Sequence, residues 1–230
     1  MKGGLKLKYK CLVLDHDNTT AATTPDIQYP AYVKSFQSCG LEPKLTEDAF
    51  IREEYKGLRH YLKIELRLDK DVLKRLEKAF YAYFEIHPAR FYKGMEQIIR
   101  RHRTAGGYLC VVSQSPEKYI RRDYRENGLF EPDIIFGLEL DEKKHKPSSY
   151  PLEAIMEHYT LEPKELLVVD DKLNGIEMAR ACGVQAALAG WGLAAPEIFN
   201  TLRENAGEAL FLERVEELEH FLSEEKDESF

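Results

Sequence analysis

The chain predicts an α/β fold: a parallel sheet flanked by helices, interrupted near its start by a block that is helical throughout. Three observations carry that expectation. A short apolar run, Cys11 to Leu14, ends abruptly in the acidic residues Asp15 and Asp17. Residues 22–88 show helical periodicity and no convincing strand. From Phe91 onward, short apolar runs alternate with helix-length segments, the pattern of parallel βαβ units. At 230 residues the chain can bury a substantial core and still carry one insertion.

Taken in order, residues 11–14 read as a buried strand delivering two carboxylates to its carboxyl end. Thr23 to Asp26 reads as a turn-rich linker, and Pro30 starts a helix that stops near Gly40. Thr46, followed by Glu47 and Asp48, predicts the start of a helix running to about Leu66. Asp69 opens another, with Val72, Leu76, Ala79, Phe80 and Tyr83 in one stripe, and Pro88 closes the block. Next come a helix through Met95 and Ile99, a strand from Tyr108 to Val112, and a helix from Pro116 to Asn127. Strands at 134–136, 166–169, 184–188 and 209–211 follow, with helices at 151–159, through Met178, near 196–202 and at 215–221. The charged tail, 224–230, reads as frayed.

A formal net charge of −7 excludes the strongly basic surface that nucleic-acid binding needs. A small anionic substrate is compatible, provided local cations overcome the acidic background. The four cysteines are widely spaced, and Cys11 and Cys110 lie in apolar strand-like runs, which predicts buried free thiols and a reducing, cytoplasmic setting. No apolar stretch approaches the length of a signal-peptide core near the amino terminus or of a membrane span anywhere.

Three strands end in chemically loaded loops: Asp15 and Asp17, Ser113, and Asp170-Asp171. Lys146 lies in the loop before another helix. In a parallel sheet all strand carboxyl ends share one edge, so these residues converge there. Singly, each has a plainer role: a strand terminator, a solvated lysine run, a helix cap. Together they fit phosphoryl transfer. Aspartates supply the hard oxygen ligands that magnesium prefers, one aspartate can act as nucleophile, and Ser113 and Lys146 can bond and neutralise phosphate oxygens.

On these residues the chain resembles the haloacid dehalogenase superfamily of aspartate-dependent phosphotransferases. Asp15-His16-Asp17-Asn18-Thr19 is similar to its D-x-D-G-T motif, Ser113 to its strand-ending serine, and Lys146-Pro147 to its lysine-proline motif. Val168-Val169-Asp170-Asp171, followed by Gly175 and Ala179, is similar to its acidic motif. The likeness spans residues 9–222 and is nearest the phosphoglycolate-phosphatase and β-phosphoglucomutase subgroup. It implies a Rossmann-like three-layer core with a parallel sheet (residues 1–21 and 89–230) and an inserted α-helical cap domain (22–88). It also implies roles. Asp15 is the nucleophile and a Mg2+ ligand, and Asp17 is the general acid/base with its carbonyl on the metal. Ser113 and Lys146 hold phosphate, Thr19 supports the phosphate-binding loop, and Asp171 with Asp170 completes the metal site. Because neighbours on a strand face opposite ways, one of Asp170 and Asp171 is expected to bind metal directly and the other indirectly.

Asn18 replaces the motif glycine, which Asn can do because it tolerates left-handed backbone. Thr20 replaces an apolar residue and is expected to alter packing; Gln114 and Ser149 also depart from commoner choices. His16, between the aspartates, should point away from them into packing. Cap residues Tyr29, Lys56, Arg59, His60, His87 and Arg90 are candidates for contact with the substrate's leaving group. The function implied is a Mg2+-dependent phosphatase acting on a small phosphorylated metabolite through an aspartyl-phosphate. A phosphomutase of the β-phosphoglucomutase kind, or a non-catalytic phosphate-binding protein, would use the same residues.

Overall fold

A computed structural model describes residues 7–192 and 195–223; the tail at 224–230 lies outside the described residues. Six parallel strands form one sheet: β1 (Cys11–Leu14), β2 (Tyr108–Val112), β3 (Ile134–Phe136), β4 (Leu166–Asp170), β5 (Gln185–Ala189) and β6 (Leu210–Leu212), in the order β3-β2-β1-β4-β5-β6. Strand order reverses at β1, which lies between β2 and β4. The carboxyl end of such a strand opens onto a crevice. Register places that end level with both neighbours, since Leu14 pairs with Val111 and with Val169.

Every residue of β1 and β4 is buried, which is why both read as unbroken apolar runs rather than alternating ones. The two-residue period sends Leu12 and Leu14 to one face, with Leu109, Val111 and Ile99, and Cys11 and Val13 to the other, with Val112, Leu152 and Ile176. All four cysteines are free, Cys11 and Cys110 buried and Cys39 and Cys182 half-buried. Helices α5 (Met95–Thr104), α6 (Glu117–Glu126), α7 (Tyr150–Tyr159), α8 (Leu173–Ala181), α9 (Pro196–Asn205) and α10 (Val215–Ser223) connect or cover the strands. Among the described residues no helix is long and apolar enough to cross a membrane.

Between β1 and α5 the described regular structure is helical: α1 (Tyr29–Ser38), α2 (Glu47–Lys56), a short turn α3 (Leu58–His60) continuing into a π-helical turn at Tyr61–Glu65, and α4 (Lys70–Ile86). This block has a small core of its own, Tyr32, Phe36, Phe50 and Leu76. Its two connections to the sheet run side by side, with the Ala22 N–H bonded to the Arg90 carbonyl (2.9 Å) and the Tyr92 N–H to that of Thr20 (3.0 Å). Asp69 caps α4 as expected, accepting from the N–H groups of Asp71 (2.9 Å) and Val72 (2.8 Å).

Two details differ from the sequence reading. The helix expected from Thr46 to Leu66 breaks at Gly57, whose φ of 106° is a conformation that glycine alone adopts without strain. The expected linker at 23–26 is instead wound into a π-helical turn, Thr24–Gln28, leading straight into α1. Its first N–H, on Thr24, is capped by Asn18 Oδ1 at 3.0 Å. That partner lies six residues upstream, beyond the reach of local capping rules.

Candidate active site

Asp15 is the first residue past β1, and its N–H extends the ladder to the Val169 carbonyl at 2.9 Å. The loop that follows is closed by its own polar groups. Asn18 takes a left-handed φ of 58°, and both the Thr20 and Ala21 N–H groups bond the His16 carbonyl (3.0 and 2.9 Å). Thr20, expected to act through packing, instead donates its hydroxyl to the Asp15 carbonyl at 2.7 Å. Asn18 Nδ2 donates to Thr24 Oγ1 (2.7 Å), which donates to Gln28 Oε1 (2.8 Å). The loop is thereby wired to the start of the helical block. His16 points away from the carboxylates, as expected. It is buried against Phe91 and Tyr124, with Nε2 3.1 Å from Asp123 Oδ2.

Lys146 crosses to the sheet's carboxyl edge and bonds two carboxylates, Asp15 Oδ1 at 2.8 Å and Asp170 Oδ2 at 2.5 Å. Burial by itself would lower the pKa of this ammonium, but Asp15 and Asp170 raise it above the ordinary lysine range. Lys146 is therefore a fixed positive charge at the end of β1. Asp170 also accepts from the Lys172 N–H at 2.9 Å, so both of its oxygens are engaged. Burial pushes its pKa up to about 6 against the pull of Lys146. The close seat of α8 on this carboxylate needs Gly175, where a Cβ would lie 2.1 Å from Asp170 Oδ2.

Asp171 is buried, and neither of its oxygens takes a protein hydrogen bond among the described residues. Burial holds its pKa well above the usual carboxylate range despite nearby Lys172, and the charges of Asp15 and Asp170 add to the rise. One oxygen from each of Asp15, Asp170 and Asp171 lies within 4.8 Å of the others. Three buried carboxylates at that spacing repel one another and form a hard-oxygen donor set suited to a divalent cation. Asp17 Oδ2 accepts from the Ser115 hydroxyl, while Oδ1 has no partner among the described residues. Burial raises its pKa, with His16 opposing and Asp15 reinforcing.

Asp15, Asp17, Ser113, Lys146 and Asp171 line one cavity of about 190 Å3. From the opposite side Phe50, Leu58, Phe80, Tyr81 and Phe84 of the helical block cover it. Asp170 stands behind Lys146. Thr19 is fully buried, does not line the cavity, and has a hydroxyl without a hydrogen-bond partner among the described residues. None of Tyr29, Lys56, Arg59, His60, His87 and Arg90 lines the cavity. Tyr29 packs on Tyr32 and Phe50, Lys56 pairs with Glu53 at 3.1 Å, and His87 stacks on Tyr83.

Several lining residues escaped the sequence reading, among them Gln28, Glu54, Ser115, Lys172 and Asn174. Ser115 had a signal, since it lies two positions beyond Ser113, as Asp17 does beyond Asp15. Lys172 directly follows the acidic pair. Nothing local marks Gln28 or Glu54. Glu54, on α2, places its carboxylate oxygens 2.9 and 3.1 Å from Lys172 Nζ, and Arg52 of the same helix pairs with Glu197 of α9.

Residues 12–189 match the family model of the haloacid dehalogenase-like hydrolases. A phosphoglycolate phosphatase of Nitrosospira multiformis is 28% identical over 189 residues, covering 77% of this chain and 81% of that protein. One of Thiobacillus denitrificans is 25% identical over 187 residues, with the same coverage of 77% and 81%. Among solved structures, a protein described as a predicted phosphoglycolate phosphatase from Haemophilus somnus superposes with a TM-score of 0.72 at 18% identity, over 93% of this chain and 98% of that one. CbbY from Rhodobacter sphaeroides, in complex with xylulose-(1,5)bisphosphate, gives 0.68 at 18% identity, over 91% and 96%. At these identities the structural likeness speaks to the fold.

Proposed function

The chain belongs to the haloacid dehalogenase-like hydrolases, and from that premise we propose a Mg2+-dependent phosphatase that cleaves a small phosphomonoester through an aspartyl-phosphate on Asp15. The observation that carries this reading is the meeting of Asp15, Asp17, Ser113, Lys146 and Asp171 around one cavity. The names of the curated relatives make 2-phosphoglycolate the first substrate to test.

In this reading Ser113 and Lys146 hold the phosphoryl oxygens while an Asp15 oxygen attacks phosphorus and the ester oxygen departs. Asp17, whose raised pKa favours the protonated form, gives its proton to that leaving oxygen. The resulting Asp17 carboxylate then takes a proton from water as the water attacks phosphorus, freeing inorganic phosphate and restoring Asp15. The Ser115 hydroxyl orients Asp17 for both transfers. Asp15, Asp171 and the Asp17 carbonyl would hold Mg2+, with Asp170 turned to Lys146 and acting from behind. The ion supplies positive charge that offsets the phosphate and the clustered carboxylates. Helices α1–α4 then serve as a cap, with 22–88 as cap domain and 1–21 with 89–230 as core. Four free thiols suit a reducing cytoplasm.

The test is phosphate release from a panel of small phosphate esters, with Mg2+ and with chelator. Turnover is expected only with Mg2+, and Asp15→Asn is expected to abolish it, by at least about 10^3-fold, without changing the melting temperature greatly. Normal turnover by that variant ends the proposal. Isomerisation of a sugar phosphate in place of phosphate release would favour a phosphomutase, and binding without any turnover a non-catalytic role.

A further inference from the structure

We propose that Lys172 reads a second anionic group, a carboxylate, on the substrate, and that Glu54 occupies that carboxylate's place in this structure. The inference rests on the phosphatase reading and extends it to the choice of substrate. Of the described residues lining the cavity, two are cations, Lys146 and Lys172. Lys146 is committed to the reacting end through Asp15 and Asp170. Lys172 is committed to nothing in the chemistry. Its ammonium is held by both oxygens of a single carboxylate, Glu54, from the helical block. The other nearby surface from that block is chiefly Phe50, Leu58, Phe80 and Phe84, which offers a ligand no charge to recognise.

The two partners differ in freedom. Lys172 follows the fully buried strand β4, and its N–H is bonded to Asp170. Glu54 is three residues from Gly57, where α2 breaks. The pair also borders a second cavity, of about 220 Å3, beside Tyr55 and Trp191. The glutamate has open space to move into at a helix end, while the lysine's backbone is held at Asp170. Charge permits the same exchange. The site holds five carboxyl groups (Asp15, Asp17, Glu54, Asp170, Asp171) against two ammoniums. A divalent cation and a phosphate dianion enter as a neutral pair. A substrate carboxylate that replaces Glu54 one for one keeps Lys172 compensated. An uncharged substituent gains nothing from Lys172, because Glu54 already satisfies it.

The experiment compares 2-phosphoglycolate with ethyl phosphate, which has a methyl group in place of the carboxylate, in the wild-type protein and in Lys172→Met, Lys172→Arg and Glu54→Gln. The ratio of kcat/KM for the two esters is expected to favour 2-phosphoglycolate by roughly 10- to 100-fold in the wild type, the worth of one charge-assisted bond. It should collapse towards unity in Lys172→Met, survive largely in Lys172→Arg, and rise in Glu54→Gln. Binding of both esters to the Asp15→Asn protein, with and without Lys172→Met, reads the same ratio independently of turnover. Absence of turnover in the wild type with that binding ratio intact would sink the phosphatase reading alone. An equal loss for both esters in Lys172→Met would make the pair a simple clasp and overturn the proposal. A preference for phosphoethanolamine that disappears in Glu54→Gln would overturn it too, by making the glutamate the reader.

Discussion

The carboxyl edge of the sheet and the helical block face each other across one cavity, yet they are built on different physical terms. At the sheet edge the strands are buried on both faces, and the acidic groups are held by partners a few ångströms away: Lys146 on Asp15 and Asp170, Thr20 on the Asp15 carbonyl, Ser115 on Asp17. The helical block's own hydrophobic cluster has four buried members, while Ile27, Ala31 and Phe84 join the core of the sheet. It is broken at Gly57, wound irregularly at 61–65, and meets the core partly through ion pairs, Glu54 with Lys172, Arg52 with Glu197 and Glu85 with Lys118. Reacting groups need fixed geometry, which dense packing supplies. A cover that must admit and release a ligand needs contacts of lower stability. The difference divides chemistry from choice of substrate.

The sharpest way to break that comparison is to damage each region's core. Phe50→Ala should cost about 3–5 kcal/mol and Leu12→Ala about 2–5 kcal/mol. Hydrogen exchange should then separate them. Phe50→Ala is expected to hasten exchange in α1–α4 while β1, β2 and β4 keep their protection, whereas Leu12→Ala lowers protection throughout. Equal acceleration in the strands of Phe50→Ala would show a single cooperative unit.

A metal titration probes the sheet edge next. Mg2+ at about 100 times its Kd should stabilise the protein by roughly 2.7 kcal/mol. Asp171→Asn is expected to remove most of that gain, and Asp170→Asn less, because Asp170 already serves Lys146 and the Lys172 N–H. Equal losses in the thermal shift would contradict the unequal roles assigned to the two neighbours.

Thr20→Val removes one buried donor and leaves the Asp15 carbonyl short of a partner, at a cost of about 1–3 kcal/mol. Because the loop is wired through Asn18 and Thr24 to Gln28, kcat should fall while KM for ethyl phosphate stays close to its starting value. A change in KM alone would mean that the loop positions the ligand rather than the nucleophile.

The smallest effect is electrostatic and belongs to the sheet layer. His102 on α5 is buried, with Nε2 2.9 Å from the Tyr108 carbonyl, and burial lowers its pKa below 6.5. The fold keeps this ring neutral while the unfolded chain takes up a proton. Its stabilising contribution is therefore complete above the unfolded value near 6.5 and is lost as the pH falls through it. Between pH 7.5 and pH 5.5 the melting temperature of the wild type should fall further than that of His102→Gln. Parallel falls would remove His102 from the account.

Much of this molecule was legible in its residues. The strand at 11–14 and the cap at Asp69 follow from local pattern, and so does the inward turn of His16. Thr20 was misread because a threonine at an apolar position suggests a packing change, and only the folded loop brings its hydroxyl to the Asp15 carbonyl. The break at Gly57 was missed because an isolated glycine within a helical pattern is usually tolerated. The cap candidates were chosen for charge and aromaticity, but which face of a helix meets the cavity depends on how the block is seated.

Local chemistry alone determined the sheet, its carboxyl-end acids and their order along the chain, because strand periodicity and parallel topology send those ends to one edge. Tertiary structure alone decided that Lys146 bridges Asp15 and Asp170, that Asp171 is left open, and that Glu54 meets Lys172 118 residues away. Pairings over such separations are set by how helices and loops pack on the sheet, and no local propensity encodes them.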